Sequence, residues 1–188
     1  MDFGTALIMI SVPWLGSEIF LARFKRAGVS DSQFDKSSMR IIWIAIAVSV
    51  NAGIIIGFQR LGHFAAGLFE FQLAGLILIV SGLALRWSAI LTLKNQFTVD
   101  VAITEHHRLV TNGIYRTIRH PAYSGSLLSF LGMGLVLANY ISIVTIFIPI
   151  CWAFLHRIKI EERVLADNFG AEYRNYRATT KRLIPFVF

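Results

Sequence analysis

Two stretches of this chain gather side chains able to do chemistry. The first, HRIKIEERVLADNFGAEYRNYR, runs from His156 to Arg177. Arg157 and Glu161 are four residues apart, which puts both on one face of a helix, while Glu162 is rotated away from them. Ionisable groups held near membrane depth point to function. The plain alternative is a salt-bridged helix end, worth roughly a few tenths of a kcal/mol. The second stretch, NQFTVDVAITEHHRLVTNGIYRTIRHPAYSG, runs from Asn95 to Gly125. Thr111, Asn112 and Gly113 form a turn signal, and Pro121 suits the first turn of a helix, where its missing N–H costs nothing. His120 then stands at a helix mouth with Arg119 beside it. Free N–H groups and the positive dipole end suit an anion there, the alternative being a capped helix start in an interfacial belt of Arg, Tyr and His.

Other candidates are weaker. His106, His107, His120 and His156 form no HExxH pattern, and the single cysteine, Cys151, lies in an apolar run, so neither a zinc site nor a disulfide is expected. Glu18 and Glu70 lie within or beside apolar runs, where a carrier would use ionisable groups. No GxGxxG or P-loop pattern is present.

The elements that must position these residues are apolar. Of 188 residues, 55% are hydrophobic and 15% charged, and the mean hydropathy is +0.62, which points to a membrane protein with no large extramembrane domain. Candidate spans are Phe3 to Ala22, Ile41 to Phe58, Leu68 to Leu85, Ala122 to Ala138 and Ile141 to Leu155. The last two are separated only by Asn139 and Tyr140, hence a tight helical hairpin or one re-entrant element. The first run opens with Met1 and Asp2 and lacks a small-residue cleavage site, so it is expected to be retained. With five spans, all 18 Lys and Arg except Arg60 fall on one side. The positive-inside rule then places the N-terminus outside and the C-terminus in the cytoplasm. Topology and anionic headgroups account for the basic excess without nucleic acid.

The segment HRLVTNGIYRTIRHPAYSG from His107 to Gly125, the helical hairpin, then Arg157, Glu161, Glu162 and FGAEYRNY from Phe169 to Tyr176 resemble the isoprenylcysteine carboxyl methyltransferase family of integral membrane enzymes. The pattern covers about the last 95 residues. The resemblance implies an all-α polytopic membrane protein of about five transmembrane helices, forming one domain over residues 1–188. Residues 1–91 would carry three spans, and residues 92–188 the cofactor-binding connector, the hairpin and a C-terminal helix. It further implies S-adenosylmethionine as cofactor, S-adenosylhomocysteine as product, and a lipophilic acceptor, the carboxylate of an isoprenylcysteine-type substrate. Carried over by position, His107, Arg108, Leu109, Val110, Tyr115, His120, Pro121, Ala122, Tyr123, Glu161 and Glu162 would hold the cofactor. Arg157 would face the acceptor, and Arg157 and Glu161 would be the catalytic pair. Asp100 stands where eukaryotic members carry Gln, and as a carboxylate it accepts from amino or ribose groups. Length and span number look most like a prokaryotic, archaeal member in the cell membrane. Related membrane methyltransferases acting on phospholipid amines or thiols share the RHPxYxG and EE elements.

Two rival readings stand beside this one. A membrane reductase of the sterol or steroid type would bind NADPH, with Arg108, Arg116 and Arg119 available for its 2′-phosphate. A small transporter or assembly subunit would use Glu18 and Glu70, although the paired broken spans of carriers are missing from the sequence.

Overall fold

The computed structural model describes residues 3–24, 33–59, 61–94 and 108–188. Five long helices follow one another: α1 Phe3–Phe24, α2 Gln33–Gly57, α3 Leu68–Leu93, α4 Pro121–Val136 and α5 Tyr140–Thr179. A single 3-10 turn, Gly113–Arg116, precedes α4. Beyond the helices, the described residues pair only at two isolated bridges, His63 with Asn139 and Ile118 with Lys181.

The outward faces expose Ile8, Val12, Val48, Ile55, Ile77 and Trp152, a surface that acyl chains accept and water does not. By length and apolar composition, Ser37–Gly57, Leu68–Leu93 and Tyr140–Thr179 are able to cross a bilayer, while the apolar parts of α1 and α4, Leu7–Leu21 and Pro121–Val136, are shorter. The protein is an all-α, multi-pass membrane protein. Its last two apolar elements form a helical hairpin, turned by Leu137, Ala138 and Asn139, and not a single re-entrant element. Asn139 is wholly buried and closes this turn. Its Oδ1 accepts from the N–H groups of Ile141 and Ser142 at 2.9 and 3.1 Å, and its Nδ2 donates to the Leu61 carbonyl at 2.9 Å. One side chain thus caps α5 and ties the hairpin to the α2–α3 loop.

Between helices in lipid, close approach replaces the hydrophobic effect as the source of contact, and small residues permit it. Gly75 and Gly82 on α3 face Gly132 and Gly125 on α4. A β-carbon added at any of the four would strike main chain of the opposing helix. Ser129 completes the seam, its hydroxyl donating to the Ile79 carbonyl at 3.2 Å. On the other side of the bundle, α2 packs on α5, where Ser142 Oγ donates to the Gly53 carbonyl at 2.8 Å.

Three helices run past the ends expected from hydropathy. α2 begins at Gln33 instead of Ile41, α3 continues beyond Leu85 to Leu93, and α5 continues beyond Leu155 to Thr179. In α3 and α5 the charge at the boundary is held inside the bundle: Arg86 pairs with Glu18 and Arg157 donates to Ser38. A paired charge does not require the helix to stop at water. Gly170, at φ 51°, interrupts the regular geometry of α5 near its far end, a conformation open to glycine at little cost.

The glycine seam yields a stability test. Gly82→Leu is expected to lower the unfolding free energy by at least about 2 kcal/mol through overpacking. The check is a detergent unfolding series against wild type, and an unchanged midpoint would show that α3 and α4 do not depend on that contact.

Candidate active site

A cavity of about 500 Å³ runs through the bundle. From α2 it takes Met39, Ile42, Trp43, Ile46, Val50 and Ile54, a helical stripe about 22 Å long at 1.5 Å per residue. From α1 it takes Leu7, Ser11, Trp14, Glu18 and Leu21, again one face. These walls are almost wholly apolar. The other end is built from the connector, the first turn of α4 and the polar part of α5, and there the chemistry collects.

Arg157 and Glu161, one helical turn apart on α5, both line the cavity. Arg157 is only 1% exposed, and its Nη1 donates to Ser38 Oγ at 2.7 Å. Ser38 is itself fully buried, so α2 fixes one edge of the guanidinium through a hydrogen bond made in a dry setting. Tyr123 from α4 interacts with both Arg157 and Glu161. His120, just before α4, lies between two carboxylates: Nδ1 is 3.9 Å from Glu161 Oε2, and Nε2 is 3.4 Å from Glu162 Oε1.

Glu162 points the other way, into a cluster of cations. Arg119 Nε and Arg182 Nε both donate to Oε1 at 3.2 Å, and Arg182 Nη2 donates to Oε2 at 2.7 Å. Arg119 also donates from Nη1 to the carbonyls of Arg177 and Thr180. The chain after α5 runs alongside: Arg119 N donates to the Lys181 carbonyl at 2.8 Å and His120 N to that of Arg182 at 3.1 Å. The carboxylate that meets Arg119 and His120 just before α4 is thus the chain's own Glu162.

Tyr115 sits under this wall, with its carbonyl accepting from the Tyr176 hydroxyl at 2.7 Å. Burial, reinforced by the nearby Glu161 charge, holds the Tyr115 phenol far above its ordinary range. It acts as a neutral hydroxyl and an aromatic face. On the opposite wall Arg86 grips Glu18 with two hydrogen bonds of 2.6 Å and donates to Ser126 Oγ at 3.0 Å, joining α1, α3 and α4.

Among the described residues, three buried side-chain atoms have no hydrogen-bond partner: His120 Nε2, Glu161 Oε2 and Tyr173 Oη. All three residues line the cavity. Buried polar groups are nearly always satisfied, so this wall is built for a polar ligand.

Of the residues expected from sequence to hold a cofactor, Arg108, Leu109, Val110, Tyr115, His120, Ala122, Tyr123 and Glu161 line the cavity. Pro121 and Glu162 do not. Pro121 is spent as the first residue of α4, and Glu162 is turned by the helical repeat into its ion-pair cluster. Asp100 and His107 lie outside the described residues. Sequence reasoning missed Ser38, the Glu18–Arg86 pair, the Arg119–Glu162–Arg182 cluster and Tyr173 with its orphaned hydroxyl. Tyr173 carried a signal, since it lies within FGAEYRNY, and Glu18 and Arg119 were singled out without their partners. Of the three cations the NADPH reading relied on, Arg119 is committed to Glu162 and Arg116 lies off the cavity, which leaves Arg108 on its lining. The carrier reading loses Glu18 to Arg86, and Glu70 is exposed.

The family model described as isoprenylcysteine carboxyl methyltransferase (ICMT) family matches residues 75–167. A protein-S-isoprenylcysteine O-methyltransferase of Schizosaccharomyces pombe is 30% identical over 180 residues, covering 88% of this chain and 76% of that protein. The chain belongs to this family. Protein-S-isoprenylcysteine O-methyltransferase A of Arabidopsis thaliana is 38% identical over 115 residues, which are 60% of this chain and 58% of the relative. A solved structure of a eukaryotic intramembrane Ras methyltransferase, ICMT, superposes with a TM-score of 0.56 at 25% identity, covering 85% of this chain and 55% of that one. The chain thus spans less than two thirds of the Arabidopsis relative and of the solved methyltransferase. These relatives are eukaryotic and do not bear out the prokaryotic, archaeal source expected from sequence. The ICMT family match contains Arg157, Glu161 and every cofactor residue expected from sequence, whereas Ser38, Glu18 and Tyr173 lie outside it.

The Glu162 cluster is open to test. Glu162→Ala leaves Arg119 and Arg182 without their shared anion and is expected to destabilise the fold by about 3 kcal/mol. An unfolding midpoint equal to wild type would show that the cluster holds nothing.

Proposed function

We propose that the chain transfers a methyl group from S-adenosylmethionine to the carboxylate of a lipophilic, isoprenylcysteine-type acceptor at the membrane. The observation that carries this reading is one continuous cavity, apolar along α1 and α2 and polar at the Arg157–Glu161 end. The names of the relatives support the same reaction.

The donor set fits the cofactor. An ammonium and ribose hydroxyls would satisfy Glu161 Oε2, His120 Nε2 and Tyr173 Oη, the three orphaned atoms. S-adenosylmethionine, when bound, supplies a methyl group on a positively charged sulfur, and the new O–C bond forms as the S–C bond breaks. The faces of Tyr115 and Tyr123 favour a cation beside them. A carboxylate acceptor is ionised near neutral pH, so it needs orientation more than a base. Arg157, braced by Ser38, provides it. The apolar walls exclude water from the reacting centre, which strengthens these charge contacts. The chain works as one domain, in which residues 1–91 wall the acceptor and residues 92–188 hold the donor. The basic residues put the polar end, with the active site, on the cytoplasmic side.

Calorimetry with S-adenosylhomocysteine on detergent-purified protein tests the donor half of the proposal. Wild type is expected to bind it and Glu161→Ala to lose at least about tenfold in affinity, the size of one charge-assisted hydrogen bond. Arg157→Ala is expected to retain that binding yet lose methyl transfer to an N-acylated S-prenylcysteine by on the order of a hundredfold. A wild-type protein that binds no S-adenosylhomocysteine overturns the reading, and undiminished turnover in Arg157→Ala overturns the role of Arg157. Ser38→Ala is expected to raise the acceptor KM about tenfold, with S-adenosylhomocysteine affinity unchanged and Ser38→Thr restoring the loss. Equal KM in Ser38→Ala and wild type would remove Ser38 from the site.

A further inference from the structure

The chain after α5 does more than brace the polar wall. Leu183 is buried in the same apolar cluster as Leu127, Phe154 and Ile158, and its carbonyl accepts from Ser124 Oγ in the first turn of α4 at 2.6 Å. That level is where α4 and α5 become continuously apolar. From there the chain turns outward. Ile184, Phe186, Val187 and Phe188 are exposed, Phe186 at 88% and Val187 at 71%.

This tip is a closed loop. The N–H groups of Leu183 and Ile184 both donate to the Phe188 carbonyl, at 2.7 and 2.6 Å, and Phe188 N donates back to the Ile184 carbonyl at 3.1 Å. Phe186 adopts a left-handed φ of 65° at its apex. Cations flank it. The Arg182 guanidinium lies 5.4 Å from the centre of the Phe188 ring, and Arg116, Lys181 and Phe186 share a small surface concavity. Aromatic and aliphatic side chains presented together with Lys and Arg, at the depth where helices enter a bilayer, match the boundary between headgroups and acyl chains. Basic side chains there gain from anionic headgroups.

We propose that the 184–188 loop is a membrane-interface anchor, with Phe186 and Val187 inserted at the acyl boundary and Lys181 and Arg116 among the headgroups. The anchor bears on the cavity because the segment that carries it holds the main chain of Arg119 and His120, and its Arg182 donates to Glu162. It does not depend on which reaction the cavity performs.

The test places a nitroxide at Val187→Cys in a Cys151→Ala background, which leaves no other cysteine. The full chain is reconstituted in vesicles of equimolar phosphatidylcholine and phosphatidylglycerol. Val48→Cys, on the outward face of α2, is the lipid reference, and Glu172→Cys, exposed on the polar part of α5, is the water reference. The label at 187 is expected to collide with oxygen and lose collisions with a water-soluble nickel chelate, as at 48. Adding Phe186→Asp is expected to restore the nickel collisions. A label at 187 that behaves like the one at 172, or one unaffected by Phe186→Asp, overturns the proposal.

Discussion

A charge beside a membrane core is tolerable only when another charge or a set of hydrogen bonds compensates it. Glu162 is where this constraint organises the protein. Its carboxylate is shared by Arg119 from the connector and Arg182 from the chain after α5, so three separate segments meet on one anion. Remove the anion and two cations are left facing each other in a poorly solvated place. The cost of that arrangement holds the connector against α5 more firmly than surface salt bridges would, because exposed pairs contribute little.

The same cluster sets the character of the residue before it. Neighbours on a helix point about 100° apart, so fixing Glu162 on its cations turns Glu161 into the cavity. One carboxylate of the pair is compensated by the protein, and the other keeps an unpartnered oxygen. Two adjacent residues of identical type are thereby set apart, one in the ion-pair cluster and one on the cavity wall. A parallel division separates the cavity's arginines: Arg86 is neutralised by Glu18 and joins helices, while Arg157, with Ser38 on one edge, keeps its position between α2, Tyr123 and Glu161.

Much of this was legible in the chain because it is local. The five apolar runs, the hairpin at Asn139, Pro121 at the start of α4, and the shared face of Arg157 and Glu161 all follow from spacing within a few turns. What escaped was compensation over long separations. Hydropathy ended the third span at Leu85, since it treats a charge as a boundary; Glu18 makes the Arg86 charge internal, and although Glu18 stood out within its apolar run, nothing in the local pattern announced Arg86 as its partner or Ser38 as that of Arg157. Glu162 was carried over to the cofactor from the family's pattern, and the arginines that meet it come from other segments.

The matched stretch of the family ends up on one side of the cavity. Residues 75–167 supply the connector, α4, Arg157 and Glu161, the groups that a soluble, charged donor would need. The long apolar stripe from Met39 to Ile54, Ser38, and the α1 face from Leu7 to Leu21 all lie before that stretch. An apolar pocket discriminates weakly, roughly 1–3 kcal/mol per methylene gained or lost, so such walls would select an acceptor by the length and width of its hydrocarbon. Under the proposed reaction, recognition of the acceptor's charge would rest on Arg157. The donor side would then be constrained by several polar contacts at once, whereas the acceptor side could change by substitutions among Leu, Ile, Met and Trp that leave the ion-pair framework untouched.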